Sequence, residues 1–288
     1  MYISADCVRQ KYQWANCKRC AAVCHLNAIK VTPTITLDSN VCDECGQCVE
    51  NCPFTAIVGT APSYNIRNNI LYEDNQPAPL LEKLLLLRAD GINEVCVKSS
   101  DSDWFSAVQQ ANQVLCDNKQ LLFKVTIAES VVEEIQYSKR AFLHFSTLTL
   151  SAKAREGRSF SDLSKAYPEY QFYRIALDHH QCTLCGICAV YCHQNCIHFT
   201  DTKVVINSQS CDGCQLCQDV CQLKALELTK EMRDLTVMEY PVSQQVCSAC
   251  HQLYRSIDKQ DSVSLCPACR FRQQNNMPLY KIGQQALS

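Results

Sequence analysis

The chain has 288 residues, with 27 Lys plus Arg against 29 Asp plus Glu and a formal net charge of -2. A balance so near zero excludes the strong single-sign field that draws a protein to nucleic acid or an anionic membrane surface, and the length leaves room for roughly two domains with cores of their own. Seven glycines, none in a GxG or GxxxxGK pattern, exclude a dinucleotide fingerprint and a phosphate loop. Cysteine is the outlier: 23 of them give a density otherwise typical of short secreted disulfide scaffolds. Yet the N-terminus, MYISADCVRQKYQW, lacks a basic segment followed by an apolar one, and the longest apolar run, LLEKLLLL (80–87), is short of a membrane span and broken by charge. The expectation is a cytoplasmic chain without a membrane span, whose cysteines are kept reduced and hold metal.

In chain order, Cys7 stands alone, followed by Cys17, Cys20 and Cys24, which keep the C-x2-C-x3-C tail of a longer motif. Cys7, in place of the missing leading cysteine, is the obvious fourth member. KVTPTITLD (30–38) alternates as hairpin strands do. Cys42, Cys45, Cys48 and Cys52 in CDECGQCVENCP then form a complete C-x2-C-x2-C-x3-C-P run, a spacing that wraps one loop around three corners of an iron–sulfur cubane and leaves a fourth thiolate to lead away. PLLEKLLLLRAD (79–90) reads as a helix begun by Pro79 and closed before Gly91, INEVCVK (92–98) as a strand, 103–117 as a helix capped by Asp101 or Ser102, and LLFKVTI (121–127) as a second strand. A further helix is expected over 139–156. Alternating elements of this length predict a small parallel-type α/β insert.

The pattern then returns. Cys182, Cys185, Cys188 and Cys192 in CTLCGICAVYC, and Cys211, Cys214, Cys217 and Cys221 in CDGCQLCQDVC, repeat the full spacing, with IHFTDTKVVIN (197–207) as the hairpin between them. The four tails align as CHLNAI, CPFTAI, CHQNCI and CQLKAL, so Cys196 fills a column of alanines and is expected to be a small core residue, with a role as alternative ligand as the other reading. Cys96 and Cys116 are expected to be buried apolar residues. His25, His193 and Gln222 stand where proline follows the last cysteine at Pro53; the histidines could bond a cluster sulfur, but are expected to face water, and His179 and His180 are expected at a strand end and not on iron. Last come two C-x2-C knuckles, Cys247 with Cys250 and Cys266 with Cys269, fifteen residues apart, the spacing of a four-thiolate zinc ribbon; a single iron could use the same ligands.

Each pair of runs resembles a bacterial-type dicluster ferredoxin, over roughly 110 residues in all. The resemblance implies four 4Fe-4S clusters with crossed ligation: Cys7, Cys17, Cys20 and Cys52 for cluster one; Cys42, Cys45, Cys48 and Cys24 for cluster two; Cys182, Cys185, Cys188 and Cys221 for cluster three; Cys211, Cys214, Cys217 and Cys192 for cluster four. The expected fold is α+β: a dicluster module at 1–69, the α/β insert at 70–170, a second dicluster module at 171–238 and the ribbon at 239–288.

Cubanes with four cysteine ligands have no open iron position, so an electron carrier without a substrate site of its own is expected, not an enzyme. The segment KRAFLHF (139–145) is similar to the basic and aromatic stretch of nitrate-reductase accessory ferredoxins, with an ordinary helix surface as the other reading. The chain as a whole resembles accessory ferredoxins of multi-component oxidoreductases, and that resemblance implies a redox partner such as a molybdenum-dependent dehydrogenase or reductase; nucleic acid is not expected as a partner. An assembly factor for such an enzyme and a redox-sensing regulator are the alternatives. Arg9, Lys11, Lys18 and Arg19 beside cluster one predict that it is the easiest to reduce, since cations favour the extra electron. The loop with Trp14, Lys11, Lys18 and Arg19 is the expected docking face, with cluster shielding as the alternative.

Overall fold

The computed structural model describes residues 1–32, 34–128, 162–257 and 265–278, and the helix expected over 139–156 lies outside these. Two compact units divide the chain: Met1–Phe172 with Asp212–Cys214 and Glu231–Asp234, and Tyr173–Cys211 with Gln215–Lys230 and Leu235–Ser288.

The first unit opens with strand β1 (Tyr2–Ile3), helix α1 (Val8–Lys11) with Cys7 at its N-cap, and helix α2 (Arg19–Ala22). The hairpin β2 (Ile29–Lys30) and β3 (Thr36–Leu37) leads to helix α3 (Gln47–Glu50) and strand β4 (Ile57–Val58). β1 closes antiparallel on β4, pairing Tyr2 with Val58 and Ile3 with Ile57. Ile29, Ile35, Ala56 and Ile57 pack with Cys7, Cys20 and Cys48, so cysteines make up much of this small core.

The insert follows as a four-stranded sheet in the order β5 (Asn65–Arg67), β6 (Ile70–Tyr72), β7 (Glu94–Val97) and β8 (Lys124–Ile127). β5 and β6 are antiparallel, joined by Asn68 and Asn69 at φ +51° and +61°, the left-handed pair a tight hairpin requires. That hairpin straddles the boundary expected at 69/70, so the insert's sheet begins at Asn65. β6, β7 and β8 are parallel. Their crossovers are helix α4 (Leu81–Ala89) and helix α5 (Asp103–Asp117), the latter capped by the Ser102 hydroxyl, which accepts from the Phe105 N–H at 3.1 Å. Trp104, Val108, Ala111 and Leu115 form the buried stripe of α5. Cys116 falls off that stripe and is exposed, and Cys96 is only half-buried, so neither is the core residue expected. Helix α6 (Leu163–Ala166) ends at Tyr167, whose hydroxyl donates to the Leu85 carbonyl at 2.9 Å.

Further along the chain β9 (Tyr170–Leu177) pairs with β12 (Leu226–Asp234). Between them lie helix α7 (Ile187–Val190), the hairpin β10 (Ile197–Phe199) and β11 (Lys203–Asn207), and helix α8 (Leu216–Val220). β11 also pairs with β13 (Val237–Pro241), giving a three-stranded sheet. The boundary expected at 238/239 therefore falls inside a strand. Ile175, Ile197, Val204, Ile206 and Leu226 form the core, with Cys188, Cys196 and Cys217 among them. The chain then turns through the hairpin β14 (Ser243–Val246) and β15 (Leu253–Ser256) to helix α9 (Pro267–Gln274). Among the described residues no helix is long and apolar enough to cross a membrane.

Candidate metal centres

Two cysteine-lined cavities sit in the first unit. Cys7, Cys17, Cys20 and Cys52 line one, with about 360 Å³ of empty space; Cys24, Cys42, Cys45 and Cys48 line the other, with about 300 Å³. Each draws three cysteines from one stretch and one from the other. Cys24 and Cys52, the last cysteines of the two runs, each line the cavity of the other run. Cys7 completes the first set from the N-cap of α1, while Trp14, in the column of the missing leading cysteine, stacks on Tyr12 with ring centroids 5.1 Å apart. Trp14 is half-buried.

In the second unit, Cys188 lies close enough to Cys182, Cys185 and Cys221 to feel their charges, and Cys217 likewise feels Cys211 and Cys192. Cys214 is buried, its N–H held 3.1 Å from Asp212 Oδ1.

The runs share a backbone device. The N–H four residues beyond each final cysteine donates to its sulfur: Ala28 to Cys24 at 3.2 Å, Ala56 to Cys52 at 3.3 Å, Cys196 to Cys192 at 3.2 Å and Ala225 to Cys221 at 3.3 Å. The residue before each donor, Asn27, Thr55, Asn195 or Lys224, has φ near +50° (from +48° to +56°), which turns the following N–H inward. Only Asn of these three types favours that conformation, so Thr55 and Lys224 are held there against their own preference. Gly46 (φ +79°) could not be replaced without collision, because a Cβ would meet the Thr60 carbonyl.

Four other cysteines of these runs, Cys20, Cys48, Cys188 and Cys217, are poor thiolates without metal. Burial pushes the Cys20 thiol up to about 12, with the charges of Cys17, Cys52 and Cys7 adding to it. Burial likewise raises Cys48 to about 11, Cys188 to about 12 and Cys217 to about 12. Crowded, desolvated thiols of this kind are stabilised by a soft, positively charged group that takes their protons' place, and all-sulfur donor sets suit iron–sulfur clusters.

Two cations serve the first cavity from inside. Arg9 donates to the Ala15 and Val31 carbonyls at 3.2 and 2.8 Å, and Arg19 to the Asn51 carbonyl and Oδ1 at 3.2 and 2.8 Å; both side chains line the cavity. Lys18 is exposed, and Lys11 pairs with Asp6 at 2.9 Å on the surface. At the second cavity His25 does more than face water: its Nδ1 is 3.9 Å from Cys45 Sγ and its Nε2 3.1 Å from Asp43 Oδ2. The sequence signal for this was the histidine directly after Cys24, whose sulfur crosses to the cavity of Cys45. His179 and His180 lie ring against ring, with centroids 4.1 Å apart.

A different geometry gathers Cys247, Cys250, Cys266 and Cys269. Their four sulfurs all lie within 4.8 Å of one another and all four residues are buried. Cys250 Sγ and Cys266 Sγ are 3.8 Å apart. A tetrahedron of thiolates about 2.3 Å from a central ion has edges of about 3.8 Å, so this set fits one zinc or iron ion and is too tight for a cubane. The first knuckle is the turn of the β14–β15 hairpin, and the second opens α9. Burial works against ionisation of Cys247, but the N–H groups of Cys266, Cys250 and Ala249 outweigh it and hold its thiol at about 6. The Cys266 N–H reaches the Cys247 sulfur at 3.3 Å.

Residues 35–58, which hold β3, α3 and β4 with Cys42, Cys45, Cys48 and Cys52, match the family described as 4Fe-4S binding domain. The chain is thus an iron–sulfur protein containing a 4Fe-4S ferredoxin module. Over 62 residues it is 29% identical to pyruvate synthase subunit PorD of Methanothermobacter marburgensis, a match covering 22% of this chain and 73% of that protein.

Proposed function

We propose that the chain is an electron-transfer polyferredoxin in which two dicluster modules carry four 4Fe-4S clusters and a C-terminal ribbon holds one zinc ion. One observation carries the reading: two separate cavities in the first unit, each walled by four cysteines taken crosswise from both runs. The same spacing recurs along 182–221, where Cys182, Cys185, Cys188 and Cys221 serve the third cluster and Cys192, Cys211, Cys214 and Cys217 the fourth. A cubane with four thiolate ligands accepts and releases single electrons and leaves no iron position open to a substrate. What the protein adds is ligation, exclusion of water by Ile29, Ile35 and Ile57, and N–H donors to the sulfurs that moderate their charge. Arg9 and Arg19, inside the wall of the first cavity, make cluster one the easiest to reduce.

The partner in this reading is a multi-component oxidoreductase, either of the molybdenum-dependent kind or of the kind the relative's name gives, pyruvate synthase. It docks where Lys11 and Lys18 reach solvent beside the first cavity, within the reducing cytoplasm. Anaerobically purified protein is expected to contain roughly 16 iron, 16 sulfide and one zinc, from four cubanes and one four-thiolate site. Dithionite reduction and onward transfer to a purified oxidoreductase complete the test. Iron without acid-labile sulfide, or clusters that accept electrons and pass none on, would reject the reading.

A further inference from the structure

Arg19 directly precedes Cys20 in the chain, and its side chain lines the first cavity. That side chain reaches a second cysteine run as well. Asp212–Cys214, from the middle of the fourth run, belong to the first unit, and Arg19 Nη1 donates to the Asp212 carbonyl at 2.7 Å. The rest of the fork is fixed by Asn51, the residue before Cys52. Arg19 Nε and Nη2 donate to its carbonyl and Oδ1 at 3.2 and 2.8 Å, and Asn51 Nδ2 donates back to the Arg19 carbonyl at 2.8 Å. Asn51 is buried, so the planar guanidinium is held in one orientation by a partner shielded from water. Asp212 is buried too, stands between Cys211 and Cys214 in sequence, and takes the Cys214 N–H on Oδ1 at 3.1 Å. A carboxylate there opposes an added electron nearby, and a cation bonded to the same residue's backbone offsets it.

We infer that Arg19 is a positioning residue shared by two clusters: it ties the Asp212–Cys214 segment to the residues around the first cavity, and its charge raises the reduction potentials of clusters one and four together. Reduction adds one negative charge to a cluster, so a cation fixed beside its ligating loop favours the reduced form, and does so more strongly among buried groups than at the surface. The inference rests on the four-cluster reading above, with Cys20 a ligand of the first cluster and Cys211 and Cys214 ligands of the fourth. It goes beyond that reading, in which Arg19 serves cluster one alone.

The test is an EPR-monitored redox titration of the anaerobic holoprotein, its four-cluster content first established by iron and sulfide analysis. Cys7→Ala and Cys214→Ala each remove one signal and so assign clusters one and four. In Arg19→Gln those two signals are expected to move to lower potential while the other two stay in place. Arg19→Lys keeps the charge without the fork, so the same two signals are expected to move in the same direction by less. A cluster-four signal that stays in place in a variant retaining all four clusters overturns the inference and leaves the four-cluster reading standing. A uniform shift of all four signals overturns it too, since the contact favours two clusters over the others. Should both variants lose iron, the two assigned signals are expected to disappear together, and loss of the cluster-one signal alone overturns the inference. Fewer than four clusters in the unaltered protein overturns that reading and this inference together.

Discussion

Lys83 Nζ lies 2.6 Å from Glu50 Oε1, and the two side chains are only 3% and 9% exposed. Glu50 closes α3, midway between Cys48 and Cys52, whereas Lys83 belongs to α4 of the insert. Tyr64 donates to the other carboxylate oxygen at 3.1 Å, and the ammonium lies 5.2 Å from the centre of the Tyr64 ring. Apart from each other, Glu50 Oε1 and Lys83 Nζ have no hydrogen-bond partner among the described residues. The insert is thus joined to the helix between Cys48 and Cys52 through a buried ion pair. Removing one partner strands the other charge in the interior, at a cost of about 3–5 kcal/mol, while replacing both with apolar residues of similar volume is close to neutral. Lys83→Met and Glu50→Gln are each expected to lower the thermal midpoint strongly, and Lys83→Met with Glu50→Leu to restore most of it. A double variant as unstable as the worse single one would show that the pair is not a closed unit.

Cys7 is separated from Cys17 by nine residues, and only α1 brings it to the wall of the first cavity. If it is a ligand, Cys7→Ala removes one cluster of four, and iron and sulfide are expected to fall together by about a quarter. The signal lost should be the one of highest potential, since Arg9 and Arg19 line the same cavity. Unchanged iron and an unchanged set of signals would remove Cys7 from the ligands.

How far these features were readable in advance differs residue by residue. The spacing of Cys42, Cys45, Cys48 and Cys52 is itself the geometry of the loop, so the module at 35–58 is legible from type and interval alone. The insert was legible for the same kind of reason: Ser102 before a 3.6-residue apolar stripe, and β-branched residues in 94–97 and 124–127, fix elements locally. The Lys83–Glu50 pair was not. In LLEKLLLL, Glu82 and Lys83 look like the solvent side of a helix, yet both are buried, because the partner that neutralises Lys83 stands 33 residues away in sequence. His25 beside Cys45 depends on the hand-over of Cys24 to the opposite cavity, a long-range fact that no local pattern states. Cys116 was misread for a narrower reason: one position along α5 separates the buried face from the exposed one.

The C-terminal quartet gives a prediction independent of the clusters. Among the described residues of 243–274 little is buried besides Cys247, Cys250, Cys266 and Cys269, with Tyr254 and Leu265 against them, so an ion bound there would substitute for a core. Cys247→Ser is expected to remove about one zinc while leaving iron and sulfide unchanged, and to open the segment around 243–274 to protease. A zinc content that stays at one, or a loss of sulfide with it, would contradict a separate single-ion site.

The raised thiols set a pH dependence that metal should abolish. Cys20 and Cys217 stand at about 12 and Cys48 at about 11 in the metal-free fold, against an ordinary value of 9.0. Between those limits the folded chain holds protons that the unfolded chain has released, so the stability these three thiols contribute is full below about pH 9 and is lost as pH climbs towards 11 to 12. Tyr167, raised by burial to about 12 through its place against the insert, acts in the same direction whether or not metal is present. The informative quantity is therefore the difference between the two forms. In the loaded protein the thiolates are ligated and no longer exchange protons over this range. Melting followed by circular dichroism at increasing pH from 8.5 to 10.5 is expected to show the metal-free midpoint falling more steeply than the loaded one. Parallel slopes would mean that the buried thiols do not control the stability of the metal-free fold.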